Sequence, residues 1–278
     1  MPELPEVETE RGRLAAAAVG KRIASARIDD ARLTRPEDPT LVAGVLEGDR
    51  IAAVDRRGKY IVMRLDSGND LLVHLRMTGG FRYEPATHER AVLELDDGTR
   101  VAYRDTRRFG TWHLTDDEDA ERLLDVKNGP EPLGPGFTTD FLARRLAGRQ
   151  APVKAAILDQ RTVAGLGNIY SDEALWYARV NPLRPAGDLS RDEVAALRAG
   201  IRKALRLGID RQGADLGDGA YAGGRMQDEL RAYGREDEPC LRCGRPIVKT
   251  RVAGRGTSYC PSCQAASRPS RSNRQSSA

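Results

Sequence analysis

The 278-residue chain is poor in histidine, cysteine and aromatic residues: it has three histidines (His74, His88, His113), four cysteines and 5% aromatics. No Ser-His-Asp set is suggested by so few histidines, and neither a phosphate loop nor a dinucleotide fingerprint is present. The longest purely apolar run, residues 14–19, has six residues, far below the ~18 needed to span a bilayer. The start, Met-Pro-Glu-Leu-Pro-Glu, carries acids where a secretion signal would carry basic and then apolar residues. A soluble cytosolic chain with no membrane partner is expected. Forty per cent hydrophobic against 31% charged residues, with 28 glycines and 15 prolines, is globular composition and excludes collagen-like and wholly disordered chains.

Charge is unevenly placed. From Cys240 onward there are eight basic residues and no acid, which leaves 37 basic against 41 acidic residues in 1–239. The end of the chain therefore has the electrostatic footprint of a polyanion binder. All four cysteines lie there, as Cys240-Leu-Arg-Cys243 and Cys260-Pro-Ser-Cys263. Two such pairs fit one tetrahedral Zn2+ ion, and a cytosolic chain disfavours disulfides. Four thiolates leave no position for substrate, so the ion is expected to be structural. Between the pairs, residues 246–252 and 257–260 alternate like strands around Ala253-Gly-Arg-Gly256, a hairpin whose turn presents Arg255. Such a ribbon can carry a cation into a nucleic-acid groove.

The spacing predicts a helix over 5–19, closed by Gly20. From Lys21 to about Leu114 short alternating runs separated by turn signals predict a β-sandwich or barrel. Residues 129–136 (Gly-Pro-Glu-Pro-Leu-Gly-Pro-Gly) read as a linker, followed by helices over 137–147, 151–160, 168–178 and 188–206. Five glycines in 213–224 predict a mobile loop. The expected fold is α+β and multidomain: an antiparallel β-sandwich domain with an N-terminal helix (1–128), a helical domain (129–235), a four-cysteine zinc-finger hairpin (236–266) and a disordered basic tail (267–278).

Two places invite chemistry. Gly165-Leu-Gly-Asn168 leads into a helix, with Asn168 as the expected N-cap and its bare amides as an anion site for a DNA phosphate. At the N-terminus, trimming of Met1 would free the secondary amine of Pro2. An α-amine titrates near pH ~8, so a neutral fraction is available to attack a sugar C1′ and form an iminium. Glu3 and Glu6 lie within a turn of it as acid or electrostatic support.

The opening Met1-Pro-Glu-Leu-Pro-Glu-Val-Glu-Thr9 resembles the start of bacterial formamidopyrimidine-DNA glycosylases. Arg57-Gly-Lys-Tyr60, His74-Leu-Arg-Met77, Arg107-Arg-Phe-Gly110, Gly129-Pro-Glu-Pro-Leu133, Gly165-Leu-Gly-Asn-Ile-Tyr170, Tyr233-Gly-Arg235 and the cysteine module follow in that family's order. The resemblance implies a helix-two-turn-helix middle domain and a base-excision-repair glycosylase and abasic-site lyase of the bacterial cytoplasm, acting as a monomer. Its partner would be duplex DNA containing oxidised purines (8-oxoguanine, formamidopyrimidines) or abasic sites. It implies Pro2 as Schiff-base nucleophile, Glu3 as acid, Lys59 as proton donor in β-elimination and Arg255 in δ-elimination. Met77, Arg107 and Phe109 would fill the gap left by the extruded nucleotide, and His88, Lys154 and Asn168 would contact DNA. His74 reads as structural or as a secondary phosphate contact. The loop at 213–227 lacks the family's usual lysine and paired aromatics, which keeps open an endonuclease VIII-type preference for oxidised pyrimidines. A relative that binds DNA without cutting it is the other alternative.

Overall fold

The computed structural model describes residues 1–215 and 223–266. The basic tail at 267–278 and most of the glycine-rich loop lie outside them. Helix α1 (Leu4–Ala18) opens the chain and buries Val7, Leu14 and Ala18 against the sandwich. Eight strands follow: β1 (Ile23–Ile28), β2 (Ile51–Arg57), β3 (Tyr60–Leu65), β4 (Asn69–His74), β5 (Gly79–Arg82), β6 (Glu89–Leu95), β7 (Arg100–Asp105) and β8 (Thr111–Asp116). They form two antiparallel sheets, ordered β1-β6-β7-β5 and β2-β3-β4-β8. Inward residues of both sheets, among them Ile61, Met63, Leu71, Val73, Leu93, Val101, Tyr103 and Trp112, make one core, as alternation with one buried face requires.

Two helices in this region go beyond what the strand pattern predicts. Helix α2 (Pro39–Leu46) starts at Asp38, whose carboxylate accepts the Thr40 amide, with Pro39 in the first turn, a start signal that is legible in the sequence. Helix α3 (Asp117–Lys127) lays Ala120 and Leu124 on Val62 and Leu72, covering the outer face of the second sheet.

After residues 129–136 come α4 (Thr139–Leu146), α5 (Val153–Leu158), α6 (Asn168–Ala178) and α7 (Arg191–Asp210). Helix α5 starts two residues later than expected because the residue before a proline is pushed out of helical backbone, and Ala151 precedes Pro152. Helices α6 and α7 pack closely around Tyr170, Ala174, Leu197, Ile201 and Leu205. Gly200 is needed there, because a Cβ on it would sit 2.5 Å from the Ala174 carbonyl oxygen. Leu4, ahead of the rest of α1, is buried in this helical core and not in the sandwich. The N-terminal segment thus joins both cores.

The last unit is the hairpin β9 (Val248–Val252) and β10 (Arg255–Tyr259), paired in register through Val252 and Arg255. It packs on Trp176, which also carries the Arg242 guanidinium 3.6 Å above its ring. Among the described residues no helix is long and apolar enough to cross a membrane.

Candidate functional site

The first residues of the chain end in a cleft of about 720 Å³ between the sandwich, the helical domain and the hairpin. Met1, Glu3, Lys59, Met77, Asn168 and Arg255 all line it. Residues far apart in sequence are therefore brought to one place. Pro2 is buried between the lining residues Met1 and Glu3 and does not itself line the cleft.

Glu3 is held by a contact that the sequence does not announce. Its carboxylate accepts the Ile169 amide at 2.9 Å and the Tyr170 amide at 3.3 Å, so it occupies the positive end of α6. The expected assignment of Asn168 as N-cap is corrected: Gly167 is the cap, Asn168 is the first helical residue, and the Ile169 and Tyr170 amides bind the Glu3 carboxylate. This explains both glycines of the turn. A Cβ on Gly167 would lie 2.3 Å from the Glu3 carboxylate carbon, and one on Gly165 would lie 2.6 Å from Leu4. Gly165 also has φ +78°, where a side chain is strained. The Leu4 amide donates to the Gly165 carbonyl at 3.0 Å, completing the clamp on the N-terminus.

Glu6 sits one turn on, fully enclosed. It accepts the Glu3 amide at 2.8 Å, the Tyr170 hydroxyl at 2.7 Å and the Ala214 amide at 2.8 Å. Burial, with Glu3 nearby, pushes its carboxyl up to about 7.

Lys59 stands at the β2–β3 turn, 6% exposed. Burial pushes its ammonium below the ordinary lysine value; Glu3 opposes this and Arg255 adds to it. An ammonium pushed down in this way gives up its proton more readily than that of an exposed lysine. The turn is fixed by Glu131 of the 129–136 segment, which accepts from the Gly58 amide at 2.6 Å and pairs with the largely buried Arg56 at 2.8 Å. His74, also in the cleft, accepts the Arg76 amide at Nδ1 (3.0 Å), leaving its proton on Nε2. Burial and then Arg76, Lys59 and Lys127 push it down to about 3, so the ring is neutral.

Lys154 requires a second correction. Expected as a DNA contact, it has no exposed surface. Its ammonium pairs with Asp172 Oδ1 at 2.7 Å and donates to the Gly256 carbonyl at 2.8 Å and Thr257 Oγ1 at 2.9 Å. All three donors are used inside the protein, bracing the hairpin that carries Arg255. Met77 enters the cleft, while Arg107 and Phe109 extend from the neighbouring loop, Phe109 half exposed with the Arg107 guanidinium 4.9 Å from its ring. His88 is exposed on the sandwich, outside the cleft lining. Arg76, Lys127 and Tyr233 also line the cleft; none has an expected role from the sequence, and Arg76 and Tyr233 occur there only within the motifs His74-Leu-Arg-Met77 and Tyr233-Gly-Arg235.

The sulfurs of Cys240, Cys243, Cys260 and Cys263 lie within 4.8 Å of one another. Cys243 and Cys260 Sγ are 3.6 Å apart, too far for a disulfide and close to the ~3.8 Å edge of a tetrahedron with ~2.3 Å Zn–S bonds. The donor set fits one structural zinc ion. A Cys243→Ser variant is expected to bind less than one equivalent of zinc and to lose DNA affinity, while the sandwich keeps its fold. Metal analysis, DNA titration and near-UV circular dichroism check this.

The chain matches three family models: the formamidopyrimidine-DNA glycosylase N-terminal domain over residues 1–112, the H2TH domain of the same glycosylases over 128–218, and the zinc finger found in FPG and IleRS over 237–266. It is 47% identical over 273 residues to a formamidopyrimidine-DNA glycosylase of Roseiflexus sp., covering 95% of this chain and all of that one. Among solved structures it resembles a Lactococcus lactis FPG mutant in complex with Fapy-dG-containing DNA, with TM-score 0.89, 34% identity and 95% and 100% of the two chains covered. It also resembles a MutM in complex with carbocyclic 8-oxo-G-containing DNA, with TM-score 0.88, 36% identity and the same coverage. Three matched domains in order, on a cleft that gathers the N-terminus, Lys59, Asn168 and Arg255, lead to one assignment: the chain belongs to the formamidopyrimidine-DNA glycosylase family.

Proposed function

We infer that the protein removes oxidised purines, 8-oxoguanine and formamidopyrimidines, from duplex DNA and then cuts the strand at the resulting abasic site. The observation that carries this is the convergence of the N-terminus, Glu3, Lys59 and Arg255 on one cleft. With Met1 removed, the Pro2 amine attacks C1′ of the extruded nucleotide, and Glu3 assists departure of the base and opening of the sugar. The resulting iminium acidifies C2′, so the 3′ phosphate leaves by β-elimination with Lys59 moving the proton. Arg255 holds a phosphate beside the lesion and supports the second, δ-elimination. Met77, Arg107 and Phe109 enter the gap in the helix, offsetting the few kcal/mol that extrusion costs. His88 and Asn168 supply further DNA contacts.

The units at 1–128, 129–235 and 236–266 act together on one duplex, as a monomer, in the bacterial cytoplasm. The solved relatives bound to Fapy-dG and 8-oxo-G DNA support the purine preference. Excision from duplexes with 8-oxoguanine opposite cytosine is expected to exceed excision of thymine glycol by at least tenfold in kcat/KM. The reverse order moves the protein to oxidised pyrimidines.

A further inference from the structure

The sandwich topology places two loops side by side. Strands β4 and β8 are paired in one sheet, and β5 and β7 in the other. The chain therefore crosses between sheets twice at the same end: outward through residues 75–78 and back through 106–110. The first crossing carries Met77 and the second carries Arg107 and Phe109. Nothing in the backbone ladder ties the tips together, since pairing stops at Gly79 and Asp105 on one side and at His74 and Thr111 on the other.

A buried side-chain pair makes that link. Thr78 is 8% exposed and Asp105 is 1% exposed. The Thr78 hydroxyl donates to Asp105 Oδ1, and the same hydroxyl accepts the Arg107 amide at 3.0 Å. Asp105 Oδ1 accepts that amide too, at 3.2 Å, and its Oδ2 accepts the Gly110 amide at 2.7 Å. Beneath them lies the Tyr103 hydroxyl, against which a Cβ on Gly79 or Gly110 would approach to 2.1 Å and 2.0 Å. Each loop also holds an arginine in left-handed backbone, Arg76 at φ +52° and Arg108 at φ +59°. Non-glycine residues keep such angles only where their surroundings enforce them.

We propose that Thr78 and Asp105 are positioning residues that clasp the two crossings into a single wedge, so that Met77 and the Arg107–Phe109 pair enter the helix together. This presupposes that those three residues fill the gap left by the lesion. The clasp touches neither the reacting sugar nor the base, so its effect belongs to extrusion and not to bond breaking. A duplex whose base is already missing has less to extrude and should feel it little.

The experiment compares Thr78→Val, which keeps the shape and removes both hydrogen bonds, with Thr78→Ser, which restores them, and with Phe109→Ala. Each is assayed on a duplex containing 8-oxoguanine opposite cytosine and on one with a preformed abasic site. A 2-aminopurine beside the lesion reports unstacking. Thr78→Val is expected to lower kcat/KM for 8-oxoguanine release by about tenfold to a hundredfold and to slow the 2-aminopurine signal alongside. Cleavage of the abasic duplex should change by less than about threefold, and Thr78→Ser should return release to within about threefold of wild type. Wild-type release by Thr78→Val overturns the clasp, as does an equal loss on both duplexes, which would mark a general loosening of the site. Wild-type release by Phe109→Ala overturns the wedge reading itself, and the clasp with it.

Discussion

Protein that keeps any residue ahead of Pro2 is expected to leave no borohydride-trapped adduct on 8-oxoguanine or abasic duplexes, whereas protein starting at Pro2 gives a covalent band with both. The reason is local. An amide nitrogen has no basic lone pair, so acylation by Met1 or an uncleaved extension removes the nucleophile while leaving the buried Pro2 ring and the Glu3 contacts in place. DNA binding should persist, which separates this outcome from misfolding. Glu3→Gln is the companion variant. Its carboxylate takes two α6 amides at once, a task for two acceptor oxygens that an amide side chain cannot share, and it is the acid nearest the nucleophile. Base release should fall by about 10²–10⁴-fold, while cleavage of preformed abasic sites falls less. A trapped adduct from protein verified by mass to retain Met1 would remove Pro2 from its role.

The second large effect is on stability. Lys154→Met is expected to destabilise the protein by about 3–5 kcal/mol, because it leaves the buried Asp172 carboxylate without its counter-charge. Burial pushes Asp172 up to about 7 and Lys154 down, against the opposing pull of their 2.7 Å contact. Replacing the pair together, Lys154→Met with Asp172→Leu, should recover most of the loss, since two matched apolar groups leave no stranded charge. Urea unfolding of the single and double variants decides this. Unchanged stability with weakened DNA binding would return Lys154 to the DNA interface.

These residues also show where sequence reading succeeds. The four cysteines and the hairpin between them are legible because ligand spacing and strand alternation are local, but the turn is shorter than expected: it is Ala253-Gly254 alone, and Arg255 is the first residue of β10, paired with Val252. The β-sandwich is legible from alternation and turns. The reading of Asn168 as N-cap fails because the group that reaches the α6 amides, Glu3, lies 166 residues earlier than Ile169. No window along the chain contains both. Lys154 is misread for the same reason, since its partners at Gly256 and Thr257 lie more than a hundred residues downstream. A lysine that is buried and a lysine that is exposed look alike until their partners are known. Helix α2 is different: its Asp38-Pro39 start is a local signal, masked by strand-like neighbours on both sides. The resemblance to a family supplies roles for Lys59 and Met77 that no pattern of residue types could give.

The chain has two tryptophans, and the fold puts one in each of two separate cores. Trp112 lies at 1% exposure inside the sandwich, while Trp176 lies under the zinc module with Arg242 on its face. The molecule thus contains its own pair of optical reporters, one inside the sandwich and one beside the cysteine cluster. Emission from Trp176 follows departure of the metal, emission from Trp112 follows melting of the sheets, and removing either indole leaves a single-colour record of the other event.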